Sequence, residues 1–555
     1  MTALSAAAAA TAFLTAARLT ASDPSDYDGP IPIEKLGGDA YVRRACDMPA
    51  RWLRYIERGY HPGPAQGRDL IMVPTPPGYV GPPDNTAHSG PYPYLMQIPF
   101  VLYGPGFVDP RGPVELAREV TLADLAPTYA DLMDFDFPRR QGRSLVKELK
   151  STHRTPRLVV TVVIDGGGWN VLNRWPQAWP NLRNMIANGT SFEHATVGSS
   201  PSVTPTSHTN IGTGAFPNRH EVTAIVIRTD DGNFAGAFSE ALRDADAEVA
   251  PSNVLTMPTL ADLYDKATDN AAKVALLGFG NYVAGMIGHG AEITGADRDI
   301  AAFEESGSWT TTQEFFHLPA YLNDAGDLEA LYDKVDLADG EADERWRGHE
   351  ISPLEATPAF APWVNQSIET IVANESFGED DVTDLLYVNY KAPDAAGHLW
   401  NMIAPEQEDV LESTDRAVGD LVDYLDARVG PNHYLVAVVS DHGQTPFGSG
   451  GWPIDKAEMV ADVGDALDRF DNDVSIVDGT TATNMFVDHG ELRRNGLTSE
   501  NLANFLSDYT IEDNAGDDYP GAFEKRRDER VFAGVFPGRK LSAIRTLCDR
   551  RFGTL

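Results

Sequence analysis

The chain has 555 residues and a formal net charge of −38, with 82 Asp and Glu set against 44 Lys and Arg. A charge this negative repels phosphate backbones and anionic lipid, which excludes a nucleic-acid scaffold or a polybasic membrane binder. An acidic protein that handles anions must concentrate positive charge locally, and metal ions are one way to do so.

Length alone allows several domains at roughly 100–200 residues each, or one large α/β fold with insertions. The two cysteines, Cys46 and Cys548, are far apart and in no metal-binding spacing. That removes zinc fingers, iron–sulfur clusters and disulfide scaffolds, so any metal is held by carboxylates and histidines. The Ala-rich stretch Leu4 to Ala17 has the hydrophobicity of a signal-peptide core, yet no Lys or Arg precedes it and Arg18 ends it. Cytoplasmic and exported locations both stay open. No strongly apolar run of 18 or more residues follows, which argues against a membrane span.

In chain order, Pro62 to Gly90 is rich in Pro and Gly and reads as loop, followed by a buried strand at Ile98–Tyr103 and helical spacing over Leu122–Leu132. Arg139 to Arg157 is the basic region, carrying Arg139, Arg140, Arg143, Lys147, Lys150, Arg154 and Arg157 against Glu148, and reads as a solvated linker, with a phosphate-binding patch as the alternative. Beyond it, strands alternate with helices, the pattern of an α/β fold with a doubly wound, mostly parallel sheet flanked by helices. Leu158–Ile164 is an uninterrupted apolar and β-branched run, as expected of a strand buried on both faces. Val274–Leu277, Leu385–Tyr390 and Tyr434–Val439 are its companions. A helix over Glu406–Arg428 lines Leu411, Val418, Leu421, Val422 and Leu425 along one face. Asn323–Glu350 is acidic and reads as a surface insertion.

Chemistry gathers where these strands end. Asp165 opens Asp165-Gly166-Gly167-Gly168; Asp394 and His398 follow Leu385–Tyr390; Asp441 and His442 follow Tyr434–Val439. Ligands of open α/β sheets bind at the carboxyl ends of strands, so three strands deliver Asp and His to one edge. Each piece alone has a duller explanation: a turn or N-cap Asp, a surface helix pair, a loop dipeptide. Their coincidence at three independent strand ends favours a divalent metal site, zinc by its mixed oxygen and imidazole donors. Thr204 precedes Pro205 like a helix N-cap with Pro at the first helical position, where free N–H groups favour an anion. Beside a metal, its hydroxyl becomes a candidate nucleophile.

These segments resemble the alkaline phosphatase superfamily, in particular its nucleotide pyrophosphatase/type I phosphodiesterase branch. The matching pieces are the strand with Asp165, the T-P-T-S-H-x-x-I-G-T-G-x-x-P segment from Thr204 to Pro217, A-P-D-A-A-G-H at Ala392–His398, and S-D-H-G at Ser440–Gly443. The resemblance implies a phosphoric ester hydrolase, of phosphodiester or nucleotide pyrophosphate type, with two divalent ions and a small phosphoester substrate. Asp165, Thr204, Asp441 and His442 then hold one metal, with Thr204 also the nucleophile, and Asp394 and His398 hold the other. The family pattern needs one more histidine well downstream. His489 is the later candidate, but the Glu491–Asn495 stretch after it is polar and reads as surface. The fitting segment lies near the N-terminus instead, from His88 through Ile98–Gly106 to Val120–Thr128, with Gly142-Arg143-Ser144-Leu145 beyond. The expectation is a circular permutation that makes His88 the missing ligand. It divides the chain into an extension (1–52), a segment resembling the family's usual C-terminal part (53–149), the main catalytic core (150–490, with an insertion near 300–350) and a C-terminal segment of unassigned role (491–555).

Two departures bear on substrate. Ile225 stands where the family's phosphodiesterases place an Asn on the phosphoryl oxygen, and Val274–Gly290 lacks the Lys/Arg pair that related monoesterases use. Alternatives are a phosphomonoesterase, a phosphonate or sulfate ester hydrolase of the same fold, or a binding protein without turnover. Sulfatases carry a Cys or Ser precursor of formylglycine, and neither cysteine lies near Thr204 in sequence.

Overall fold

Leu158–Ile164 is buried at every position and forms the middle of a nine-stranded sheet in the computed structural model of the chain. The structure describes residues 30–63, 69–83, 85–88, 90–149, 154–228, 232–238, 254–446, 450–470, 472–516 and 521–552; the signal-like Leu4–Ala17 stretch and Lys150 of the basic region lie outside them. Five parallel strands make the centre of the sheet, in the order Ile300–Glu305, Val274–Phe279, Asp384–Tyr390, Leu158–Ile164, Tyr434–Val439. Val162 stands level with Val388 on one side and Val438 on the other. Phe100–Tyr103 then pairs antiparallel with Tyr434–Val439, and Thr190–Phe192 and Gly112–Val114 complete that edge. Ser308–Thr310 closes the other edge, antiparallel. The mostly parallel α/β sheet expected from the alternating pattern is present.

Side chains alternate between the two faces, and both faces are covered. Val159 and Val163 pack with Leu125, Tyr129 and Ile211 in one core layer. Val160, Val162 and Ile164 pack with Ile368, Leu411, Val418 and Leu421 in the other. The last three lie on the helix Pro405–Arg428, whose apolar stripe turns inward as its spacing requires. The acidic stretch near 323–350 contributes a helix, Leu328–Asp336, and two short paired strands, Arg345–Trp346 and His349–Glu350. Leu331 and Trp346 anchor it in the core, and Trp346 meets Trp400 edge-on with ring centroids 5.3 Å apart.

A second, four-stranded sheet is assembled from distant parts of the chain, in the order Val477–Thr480, Asn484–Val487, Leu70–Pro74, Phe532–Pro537. Leu70 faces Met485 on one side and Pro537 on the other. The helices Ala40–Asp47, Ala50–Arg58 and Leu541–Phe552 bury Ala45, Leu53, Ile56, Leu541 and Ile544 against Ile71, Val73 and Phe536. Among the described residues no helix is long and apolar enough to cross a membrane.

The two cysteines meet here. Cys46 and Cys548, 502 residues apart in sequence, form a single disulfide with Cα atoms 4.9 Å apart, a pairing that their spacing does not indicate. Separation along the chain says nothing about separation in space when both segments pack on one sheet. Removing such a cross-link typically costs about 2–5 kcal/mol. Cys548→Ser is expected to lower the thermal midpoint and to speed protease cleavage at Leu541–Phe552, a contrast read by differential scanning fluorimetry and limited proteolysis.

Candidate active site

Asp165 follows its strand directly and is fully buried. The glycine after it is required by the backbone. Gly166 has φ +67°, and a Cβ there would lie 2.9 Å from the Cα of Asp394. This lets the end of one strand approach the start of the helix Ala392–Trp400, which carries Asp394 in its first turn and His398 one turn later. From the third strand end, Asp441 accepts the Gly166 N–H at 3.0 Å. His88 arrives from the N-terminal segment and stacks on His442 with ring centroids 3.7 Å apart.

The structure thus brings together Asp165, Asp394, His398, Asp441, His442 and His88. His442 Nε2 lies 3.2 Å from Asp441 Oδ2, 3.6 Å from Asp165 Oδ1 and 3.8 Å from Asp394 Oδ1. His88 Nε2 lies 3.7 Å from Asp394 Oδ1, and His398 Nε2 3.4 Å from Asp394 Oδ2. Backbone carbonyls fix the tautomer of all three rings. The Nδ1–H of His88 donates to Ser202 O at 2.9 Å, that of His442 to Gly443 O at 3.0 Å, and that of His398 to Thr86 O. Each Nε2 lone pair is therefore turned toward the carboxylates, the arrangement of metal-ligating imidazoles.

Thr204 departs by one residue from its expected place. Val203 is the extended residue before the helix Thr204–Thr213, so Thr204 is its first helical residue and not its cap. Its Oγ1 faces the ammonium of Lys391, 3.4 Å away. His489 lies elsewhere, on Asp69 at 2.8 Å in the second sheet region, and Ile225 is 38% exposed.

Three residues of the site escape sequence reasoning. Lys391 is buried, with its Nζ 2.5 Å from Asp394 Oδ2 and 3.4 Å from Asp165 Oδ2. Burial alone would lower its ammonium, but Asp165 and Asp394 hold it above the ordinary lysine range. Asn389 donates to Asp165 Oδ2 at 2.8 Å and to His208 Nε2 at 3.1 Å. His208 Nδ1–H donates to Thr204 O at 2.8 Å, so both nitrogens of that ring are engaged and it positions the helix start. Lys391 precedes the A-P-D motif directly and Asn389 ends a strand, but neither has a spacing signature of its own.

The site also carries unmet polar demand. Asp165 Oδ1, Asp394 Oδ1, Asp441 Oδ2 and His442 Nε2 are buried without a hydrogen-bond partner. Ligand atoms of His88, Asp394 and His398 lie within 4.8 Å of one another, as do those of Asp165, Asp394 and His442. Burial, together with Asp165 and Asp394, pushes Asp441 well above the usual carboxylate range, while burial and the neighbouring His442 push His88 well below the usual histidine range. A buried donor set of this kind, carboxylate oxygens and imidazole nitrogens converging with several atoms unpartnered, fits divalent cations.

Residues 159–499 match the family described as type I phosphodiesterase / nucleotide pyrophosphatase. The chain belongs to that family. Among its curated relatives, alkaline phosphatase PafA of Elizabethkingia meningoseptica is 26% identical over 334 residues, covering 52% of this chain and 60% of PafA. Alkaline phosphatase PhoV of Synechococcus elongatus is 22% identical over 354 residues, covering 55% of this chain and 62% of PhoV. The chain thus spans about three fifths of the length of these relatives. The crystal structure of wild-type PafA aligns with a TM-score of 0.49 at 19% identity, over 63% of this chain and 76% of that one.

His220, in the family segment after Pro217, supports the helix of Thr204. Its Nε2 meets the Asn210 side-chain amide at 2.9 Å, and its Nδ1 lies 3.2 Å from the Val222 backbone nitrogen. Burial lowers its pKa to about 3. A histidine depressed in the fold contributes full stability above its unfolded pKa of about 6.5 and loses about 1.4 kcal/mol per pH unit as pH falls toward the folded value. His220→Gln is expected to flatten the acid side of the stability profile between pH 6 and 4, measured by urea unfolding beside wild type.

Proposed function

We propose that the chain is a metal-dependent phosphoric ester hydrolase, acting on phosphodiesters or nucleotide pyrophosphates through Thr204. The observation that carries this reading is the set of buried, unpartnered ligand atoms on Asp165, Asp394, Asp441 and His442 beside the Thr204 helix. Asp165, Thr204, Asp441 and His442 would hold one divalent ion, and Asp394, His398 and His88 the other, zinc by donor type. When bound, such ions supply Lewis-acid charge to the phosphoryl oxygens and the nucleophile.

The chain's own residues do the rest. Thr204 Oγ1 attacks phosphorus in line, losing its proton to solvent, as the bond to the leaving oxygen breaks and that oxygen takes a proton from water. The resulting phosphothreonine is cleaved by water, which returns Thr204 Oγ1 and releases the phosphate product. Free N–H groups at the start of Thr204–Thr213 favour the anionic group in flight. His208 and Asn389 hold Thr204 and Asp165 in register.

A phosphomonoesterase is the second reading, favoured by Lys391. Its ammonium, 3.4 Å from Thr204 Oγ1, supplies cationic charge from the strand end before Asp394, whereas Val274–Gly290 has no Lys/Arg pair. The two curated relatives above are named alkaline phosphatases, which accords with this reading. We also read the order of segments as a circular permutation, supported by His88 beside Asp394 and by Phe100–Tyr103 paired with Tyr434–Val439. The Cys46–Cys548 disulfide supports an oxidising, exported location.

Hydrolysis of bis-p-nitrophenyl phosphate and p-nitrophenyl phosphate with zinc tests the reading. Thr204→Ala is expected to lower kcat on the preferred substrate by about 10³-fold or more. Retention of wild-type rates by that variant would refute the nucleophile, and the ratio of the two substrates decides between diester and monoester. His88→Ala is expected to lose one bound zinc by elemental analysis; an unchanged content would rule out its ligand role. Lys391→Met is expected to cost about 10²-fold in kcat, more on the monoester than on the diester, if its charge faces the transferred group.

A further inference from the structure

A second set of carboxylates lies at the opposite edge of the large sheet. Asp265, near the end of the helix Leu260–Ala267, is only 1% exposed, and both its Oδ1 and Oδ2 are buried without a hydrogen-bond partner. Asp299, 6% exposed, immediately precedes the strand Ile300–Glu305, and Asp297 stands exposed on the same loop. One carboxylate oxygen from each of the three lies within 4.8 Å of the others.

The surrounding groups leave this cluster without a cation of its own among the described residues. Asp262 is satisfied by the N–H groups of Thr259 and His289 and by His289 Nδ1. The Lys266 ammonium donates to Thr294 O at 2.9 Å. Asn270 ties the two segments together: its N–H donates to Asp265 O at 3.0 Å and its Nδ2 to Gly295 O at 3.2 Å. Its Oδ1 is again buried and unpartnered. Burial, then Asp297 and Asp262, push Asp265 up to about 7, and burial with Asp265 and Asp297 pushes Asp299 well above the usual carboxylate range.

We propose that Asp265, Asp297 and Asp299 form a calcium site that clamps the helix Leu260–Ala267 to the loop entering the strand Ile300–Glu305. The donors are all oxygen, with no histidine or cysteine among the three, which suits a hard cation and disfavours zinc. Oxygens sharing a calcium ion at about 2.4 Å lie up to about 4.8 Å apart, and those of the three residues fall within that limit. Exposed Asp297 gives the ion a way in, and the buried carboxylate of Asp265 acquires the partner it lacks. The strand Ile300–Glu305 runs parallel to Val274–Phe279, so Asp299 stands at the amino edge while Asp165, Asp394 and Asp441 stand at the carboxyl edge. This site is therefore separate from the candidate active site and independent of its function.

The test is thermal unfolding of the zinc-reconstituted chain in calcium-free buffer, titrated with CaCl₂. Saturating calcium is expected to raise the midpoint of wild type by about 3 °C. The shift should vanish in Asp265→Asn and in Asp297→Asn, and should persist in Thr204→Ala, which alters the candidate active site alone. Asp297→Asn, at an exposed position, keeps the test decisive should Asp265→Asn fail to fold. No shift in wild type, an equal shift in Asp297→Asn, or loss of the shift in Thr204→Ala would overturn the proposal.

Discussion

Mutual repulsion among three buried carboxylates governs the heart of this molecule. Asp165, Asp394 and Asp441 are buried at the ends of adjacent parallel strands, where water cannot screen them. Two like charges about 4 Å apart repel by about 4 kcal/mol even at an effective dielectric constant of 20. The sheet holds the three in place because its core layers on both faces fix where each strand ends. What surrounds them answers the repulsion: the ammonium of Lys391, the Asn389 amide, and three histidines whose lone pairs are turned inward by backbone carbonyls. Remove the sheet's precision and no reason remains for so much like charge to be gathered in one place.

The net charge of −38 takes on a different meaning in this light. An acidic exterior and an acidic interior pose separate problems, since surface charge is screened within about 10 Å by salt whereas the buried cluster is not. A small anion approaching the sheet edge is therefore governed by the charge there, including the Lys391 ammonium, more than by the distant surface. The helix start at Thr204 adds its own partial positive charge on the same side.

The sheet and most of the site were legible in the sequence because they depend on short-range signals. The apolar run Leu158–Ile164 announces a strand covered on both faces, and Asp residues directly after such runs land at one edge by topology alone. The need for Gly166 shows only in the fold, where the strand end turns beside the backbone of Asp394. Lys391 and Asn389 were not, because a single lysine or asparagine at a strand end is common, and only the convergence of three strands shows what it faces. The pairing of Cys46 with Cys548 was hidden for the opposite reason. It depends on how the chain's two ends pack on one small sheet, which no local pattern encodes.

That small sheet also sets an order of events during synthesis. The nine-stranded sheet needs nothing beyond Val439, so it can close while the rest of the chain is still being made. Leu70–Pro74, by contrast, sits between Asn484–Val487 and Phe532–Pro537 and waits for more than four hundred further residues before either partner exists. Pairings of such long range are slow to form and leave edges exposed meanwhile. The strand Leu70–Pro74 thus reaches its final place only after Phe532–Pro537 has been made, and until then it must be kept from wrong partners.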